Sequence, residues 1–177
     1  LEYDTNITNV HQRAIDQWSK FKTLMLRVSI DDYGEQNDYI RFPSKWHKID
    51  ENIQRIQKLV PNTKVEISIT WQMLNAYTFL NLLDHFKNYY INIRILSAPE
   101  IFDPKQLPKQ AKLELIDMYN SSIHKDKIKH LVSYLTNTLN NNQLLYKESA
   151  DFLNKLDGLR GTDWTKTFKQ LHKTINS

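Results

Sequence analysis

The sequence predicts an α/β fold built on a parallel sheet and followed by a purely helical segment. Two observations carry this expectation. Through the first hundred residues, short runs rich in branched side chains alternate with stretches of helical periodicity, and beyond residue 100 the strand-like runs stop. Helical stretches between successive strands read as crossover connections. Crossovers make the joined strands parallel, with right-handed units and the loops of interest at the strands' C-terminal ends.

The elements follow in order. LEYDTNIT opens the chain and reads as the end of a buried strand running into a loop; with Leu1 in place of Met, the start reads as cut. Val10, Ala14, Trp18 and Phe21 recur at helical spacing, and TLMLRVSI (23 to 30) is apolar and branched enough for a buried strand. DDYGEQNDY (31 to 39) reads as a polar loop around Gly34. Pro43 and Ser44 then offer a stop and a helix cap before Trp46, Ile49, Ile53 and Ile56. After a turn at Val60-Pro61-Asn62, KVEISIT (64 to 70) alternates as a strand, FLNLLDHF (79 to 86) is helical, and INIRIL (91 to 96) is the last strand.

Past SAPEIFDP (97 to 104), three apolar sets at helical spacing predict successive amphipathic helices: Ala111, Leu115 and Met118; Ile128, Leu131 and Leu135; Leu145, Leu153 and Leu156. TNTLNNN (136 to 142) reads as a turn, and a helical tail ends in DWTKTFKQL. The domain division expected is therefore 1 to 100 for the strands and 101 to 177 for the helical extension.

Composition narrows the chemistry. Cysteine is absent, which excludes a disulfide framework, a thiolate zinc site, a cysteine nucleophile and iron–sulfur ligation by this polypeptide. The six histidines contain no HExxH pattern, and Asp31 and Asp32, adjacent on a strand, point oppositely, so no metal site is expected. Three glycines and no Walker or dinucleotide pattern leave nothing to cradle phosphates.

No run approaches the ~18 apolar residues of a membrane helix, and no signal-peptide pattern opens the chain, so the compartment read from the sequence is cytoplasmic, with no membrane partner. The net charge of +4 comes from residues 101 to 177, with 12 Lys/Arg against 8 Asp/Glu, whereas 1 to 100 balance at 12 and 12. The lysines of KDKIKH (125 to 130) alternate and spread around a helix axis instead of forming one stripe, which argues against nucleic-acid binding. The sequence carries no sign of oligomeric state.

RVSIDDYGEQNDYIRFPSKWHKIDENIQRI (27 to 56) resembles the middle of radical S-adenosylmethionine (SAM) proteins of the twitch-domain branch, where a strand ending Ser-Ile-Asp leads through a Gly-containing loop to Asn-x-Tyr-Ile-Arg and Ser-x-Trp. The resemblance extends to YDTNIT (3 to 8), VEISITWQMLN (65 to 75), NIRIL (92 to 96) and LDGLRGTDWTKTF (156 to 168). It implies the later half of a parallel (β/α)6 partial TIM barrel followed by a helical C-terminal extension. In that family a C-x3-C-x2-C motif holds a [4Fe-4S] cluster that chelates SAM for reductive cleavage. None of those cysteines is in this chain. The complete protein is thus expected to be a radical SAM enzyme acting on an unidentified substrate, a peptide being one class, and the chain alone is expected to be inactive, with no catalytic residue of its own.

The cofactor-binding residues expected are Asn6, Ser29, Asp31, Arg41, Thr70 and Leu96. Ser29 and Asp31, two apart on a strand, share a face at its C-terminal end. The resemblance places Ser29 on the amino-acid part or ribose of SAM, and Asp31 near the ribose or ordering the loop. Arg41 offers a guanidinium fork, which binds a carboxylate bidentately, and the resemblance assigns it the methionine carboxylate; its alternative is a surface pair with Asp38 or Glu35. By resemblance, Asn6 in the Thr5-Asn6 pair reaches ribose hydroxyls, as an amide can both donate and accept, Thr70 approaches the adenine or substrate, and Leu96, with Ser97, flanks the adenine. Tyr39, Trp46 and Trp71 are read as packing before cavity lining.

The rival expectation is a non-catalytic α/β interaction module whose basic helical tail binds an acidic protein or nucleic acid. An apolar, unpaired edge strand is the mark expected of the enzyme reading.

Overall fold

A computed structural model describes residues 1–141 and 145–175. It forms two compact units, Leu1–Thr70 with Phe86–Arg94, and Trp71–His85 with Ile95–Ser177.

The first unit is built on a four-stranded sheet in the order β1 (Glu2–Thr5), β2 (Leu24–Ser29), β3 (Thr63–Trp71), β4 (Tyr90–Ile95). The sheet is parallel, with Asp4 opposite Arg27 and Arg27 opposite Glu66 in the register. One face is apolar: Leu24, Leu26 and Val28 are fully buried, as are Ile67 and Ile69. Helix α1 (Gln12–Trp18) lies on that side, because Trp18 packs on Tyr3, which stands opposite Leu26. The other face is polar. Arg27 reaches Glu2 at 3.1 Å and Glu66 at 3.5 Å, and Asn92 approaches Glu66 at 3.5 Å.

Three readings of this region need correction. The opening strand is not buried: Glu2, Tyr3 and Asp4 are exposed. As the outermost strand, β1 has no further strand on its outer edge among the described residues, but that edge is charged and not apolar. The charges serve the pairing with Arg27 and resist further strand addition. Helix α1 ends at Trp18, which leaves Phe21 41% exposed outside it.

The stretch read as a loop over 31 to 39 contains helix α2 (Gly34–Ile40). Gly34 enters it at φ +61°, a conformation glycine adopts without steric penalty, and Glu35 lies favourably in the first turn. Its buried residues are Asn37 and Tyr39, so no aliphatic period marks it. Helix α3 (Trp46–Leu59) buries Ile49, Ile53 and Ile56 as expected. Ser44 does not cap it: the Asp38 carboxylate accepts the Trp46 N–H, and Lys45 occupies the cap position without a side-chain bond.

The second unit holds α4 (Phe79–His85), two 3-10 turns over Glu100–Phe102 and Pro104–Gln106, and helices α5 (Lys109–Asn120), α6 (Lys125–Asn137), α7 (Tyr146–Arg160), α8 (Trp164–Thr167) and α9 (Lys169–Ile175). Its core includes a relay of polar aromatic edges. Trp71 Nε1 donates to Tyr119 Oη at 2.9 Å, and that hydroxyl donates to the Ala76 carbonyl at 2.6 Å, so three fully buried residues satisfy one another. Lys112 is also fully buried, donating to the Thr138 carbonyl at 2.6 Å, and desolvation lowers its pKa. Helix α7 stops at Gly161, φ +66°.

Of the Asn-rich segment read as a turn, Thr136 and Asn137 belong to α6, and Asn142 lies outside the described residues. Exposed Lys125, Lys127 and Lys129 on α6 alternate around buried Ile128, as the sequence implied.

Candidate functional site

The strand ends of the first unit converge through one carboxylate. Strand β2 stops at Ser29, so Asp31 lies beyond it in a bend, not on the strand face that it was expected to share with Ser29. Asp31 is 6% exposed, and its backbone N–H donates to Asn37 Oδ1 at 3.3 Å. Asp31 Oδ1 accepts the Thr70 N–H of β3 at 2.9 Å, and Oδ2 stands 2.9 Å from Arg41 Nε. The Nε contact is an ion pair whose N–H is poorly aligned for a hydrogen bond. Arg41, directly after α2, is thereby tied back to the sheet through Asp31, and not through Asp38 or Glu35.

This geometry clamps the guanidinium by its inner nitrogen. No carboxylate among the described residues other than Asp31 pairs with Arg41, whose fork can bind a carboxylate bidentately. Arg41 lines a cavity of about 230 Å3 together with Asn6, Thr8, Phe42, Ser44 and Ile49. Between Asn6 and Thr8, the buried Ile7 is held at φ +53°. That conformation is strained for a β-branched residue, and such strain clusters where a structure holds a site in place. Ile7 N–H donates to Thr5 Oγ1 at 2.9 Å, and Asn52 Nδ2 of α3 donates to the Ile7 carbonyl at 2.8 Å.

The structure therefore brings together Asp31, Arg41 and Thr70 by direct contact, and Asn6 and Arg41 in one cavity. Ser29 is half-buried at the end of β2, with Ser68 opposite it in the register, and is not in that cavity. Leu96 belongs to the second unit, where its N–H donates to the Trp71 carbonyl at 2.9 Å. Trp46 packs edge-on against Tyr33 and Phe86. Tyr39 and Trp71 are buried core residues.

Sequence reasoning missed Ser44 and Thr8. Both are polar residues beside Arg41 and Asn6, and Ser44 had been given the capping role that Asp38 fills. No group of three or more His, Asp or Glu side chains suited to a metal ion occurs among the described residues. No helix among them is long and apolar enough to cross a membrane.

No family model matches the sequence. No curated protein matches it either. A solved structure described as native anSMEcpe with bound AdoMet and Cp18Cys peptide aligns with a TM-score of 0.46 and 11% identity, over 73% of this chain and 38% of that one. The chain thus spans well under half the length of that protein.

Proposed function

We propose that this chain is the cofactor-binding later part of a radical SAM enzyme, a partial barrel that holds SAM at its strand ends. Asn6 and Arg41 line the receiving cavity, Asp31 and Thr70 fix Arg41 from behind, and Ser29 stands at the neighbouring strand end. The observation that carries the reading is the clamp on Arg41. A guanidinium held by Asp31 at Nε, on a residue that lines a cavity, is preorganised for a carboxylate, and the amino-acid end of SAM presents one.

The residues present do not fit the iron–sulfur cluster of that family, since there is no cysteine to ligate it, and no step of SAM cleavage is assigned to this chain. Bound SAM supplies the radical precursor; the chain's own groups bind and orient it. Calorimetric titration of SAM tests the proposal. Arg41→Ala is expected to weaken binding by at least tenfold, with Arg41→Lys intermediate because a point charge replaces the fork. Equal affinity in all three proteins removes Arg41 from the site.

One observation favours the rival reading of a non-catalytic interaction module: the charged outer edge of β1, where the enzyme reading expects an apolar one. The same titration separates the two, because a module that binds only macromolecules takes up no SAM.

A further inference from the structure

The cavity beside Arg41 contains a hydroxyl with nothing to do. Ser44 is 9% exposed, its Oγ has no hydrogen-bond partner among the described residues, and it lines the cavity with Arg41, Asn6 and Thr8. A buried hydroxyl left unpaired is destabilising, and native structures satisfy such groups or use them. The local explanation for a serine here, capping α3, does not hold, since the Asp38 carboxylate already accepts the Trp46 N–H. The Ser44 N–H donates to the Arg41 carbonyl at 2.9 Å, while the side-chain hydroxyl has no such partner, three residues from Arg41.

Size and chemistry say what it would bind. Pockets that enclose a whole drug-sized ligand hold roughly 300–1,000 Å3, and this one holds about 230 Å3. It therefore suits an amino-acid-sized group, not a nucleoside with its side chain. Its polar lining residues are Arg41, Ser44, Thr8 and Asn6, and Phe42 and Ile49 are apolar ones. An α-carboxylate on a short aliphatic chain matches both.

We infer that Ser44 is a ligand-binding residue: its hydroxyl donates to the carboxylate that Arg41 pairs with, so the cavity takes the amino-acid end of the ligand and leaves the nucleoside outside. The inference rests on the SAM-binding reading and adds to it a residue and a division of the ligand between cavity and surface.

Ser44→Ala and Ser44→Thr test it, titrated with SAM, decarboxylated SAM and adenosine, alongside thermal melts of the unliganded proteins. Loss of one hydrogen bond to a charged acceptor predicts about tenfold weaker SAM binding for Ser44→Ala, with Ser44→Thr retaining affinity. Decarboxylated SAM and adenosine should bind Ser44→Ala as they bind wild type. The Tm of unliganded Ser44→Ala should be unchanged or higher, because the variant removes an unpaired buried hydroxyl. Wild-type SAM affinity in Ser44→Ala overturns the inference and leaves the SAM reading standing. A lowered Tm with all three ligands weakened alike also overturns it, since that marks a structural role. Absence of SAM binding by the wild-type chain removes both.

Discussion

Truncating Asp31 should damage the first unit more than any other single change at the strand ends. Asp31→Ala strips the acceptor from the Thr70 N–H and the counter-charge from Arg41, whose side chain is only 22% exposed. An orphaned backbone N–H costs about 1–3 kcal/mol. Removing one partner of a fully buried ion pair costs about 3–5 kcal/mol, and the partial exposure of Arg41 brings that share down to about 1–2 kcal/mol. The sum is about 3 kcal/mol, or a urea midpoint lower by about 1.5 M at an m-value of about 2 kcal/mol/M.

Asp31→Asn keeps an oxygen for Thr70 and loses only the charge, so about half that loss is expected. The double variant Asp31→Ala/Arg41→Ala should recover about 1–2 kcal/mol of coupling. Urea unfolding followed by circular dichroism gives the energies, and hydrogen exchange at the Thr70 amide gives the site. If Asp31→Ala melts within 0.5 M of wild type, or the Thr70 amide keeps its protection, Asp31 does not bridge sheet and guanidinium and the clamp reasoning is wrong.

Two further outcomes concern the second unit. Tyr119→Phe leaves Trp71 Nε1 and the Ala76 carbonyl without their shared hydroxyl in the core, and should cost about 2 kcal/mol in chemical denaturation, whereas a loss below 0.5 kcal/mol would show that the relay is not needed. Burial, opposed by a hydrogen bond with Thr174 and reinforced by Glu114, raises the Tyr77 pKa from 10.0 to about 12. A group whose folded pKa is raised contributes stability below its unfolded pKa and loses it as pH rises through the folded one. Stability should therefore fall between pH 10 and 12, and Tyr77→Phe should flatten that slope relative to wild type. An unchanged slope in the variant assigns the alkaline loss to other groups.

What was legible in the sequence follows from which faces are apolar. Strand β2 announces itself as a mostly apolar run through Leu24, Leu26 and Val28, and β3 because Ile67 and Ile69 alternate with Ser68 and Thr70; these apolar residues fill one face. Helix α3 does so through Ile49, Ile53 and Ile56. Helix α2 does not, because what it buries is Asn37 and Tyr39, and a polar buried side leaves no period to read.

Asn6 and Arg41, singled out through resemblance, line one cavity, whereas the partner of Arg41 was not legible. Asp38 and Glu35 are nearer in sequence, yet the bend after β2 brings Asp31 to the guanidinium from ten residues away. Ser44 was misread for a related reason. Asp38 and Ser44 compete for the first free N–H of α3, and only the path of the chain shows that Asp38 reaches it.

The most direct measurement is a calorimetric titration of the wild-type chain and Arg41→Ala with SAM. Wild type should show saturable single-site binding, with a dissociation constant at least tenfold weaker in Arg41→Ala. No heat with wild type, or an unchanged constant in the variant, would contradict it.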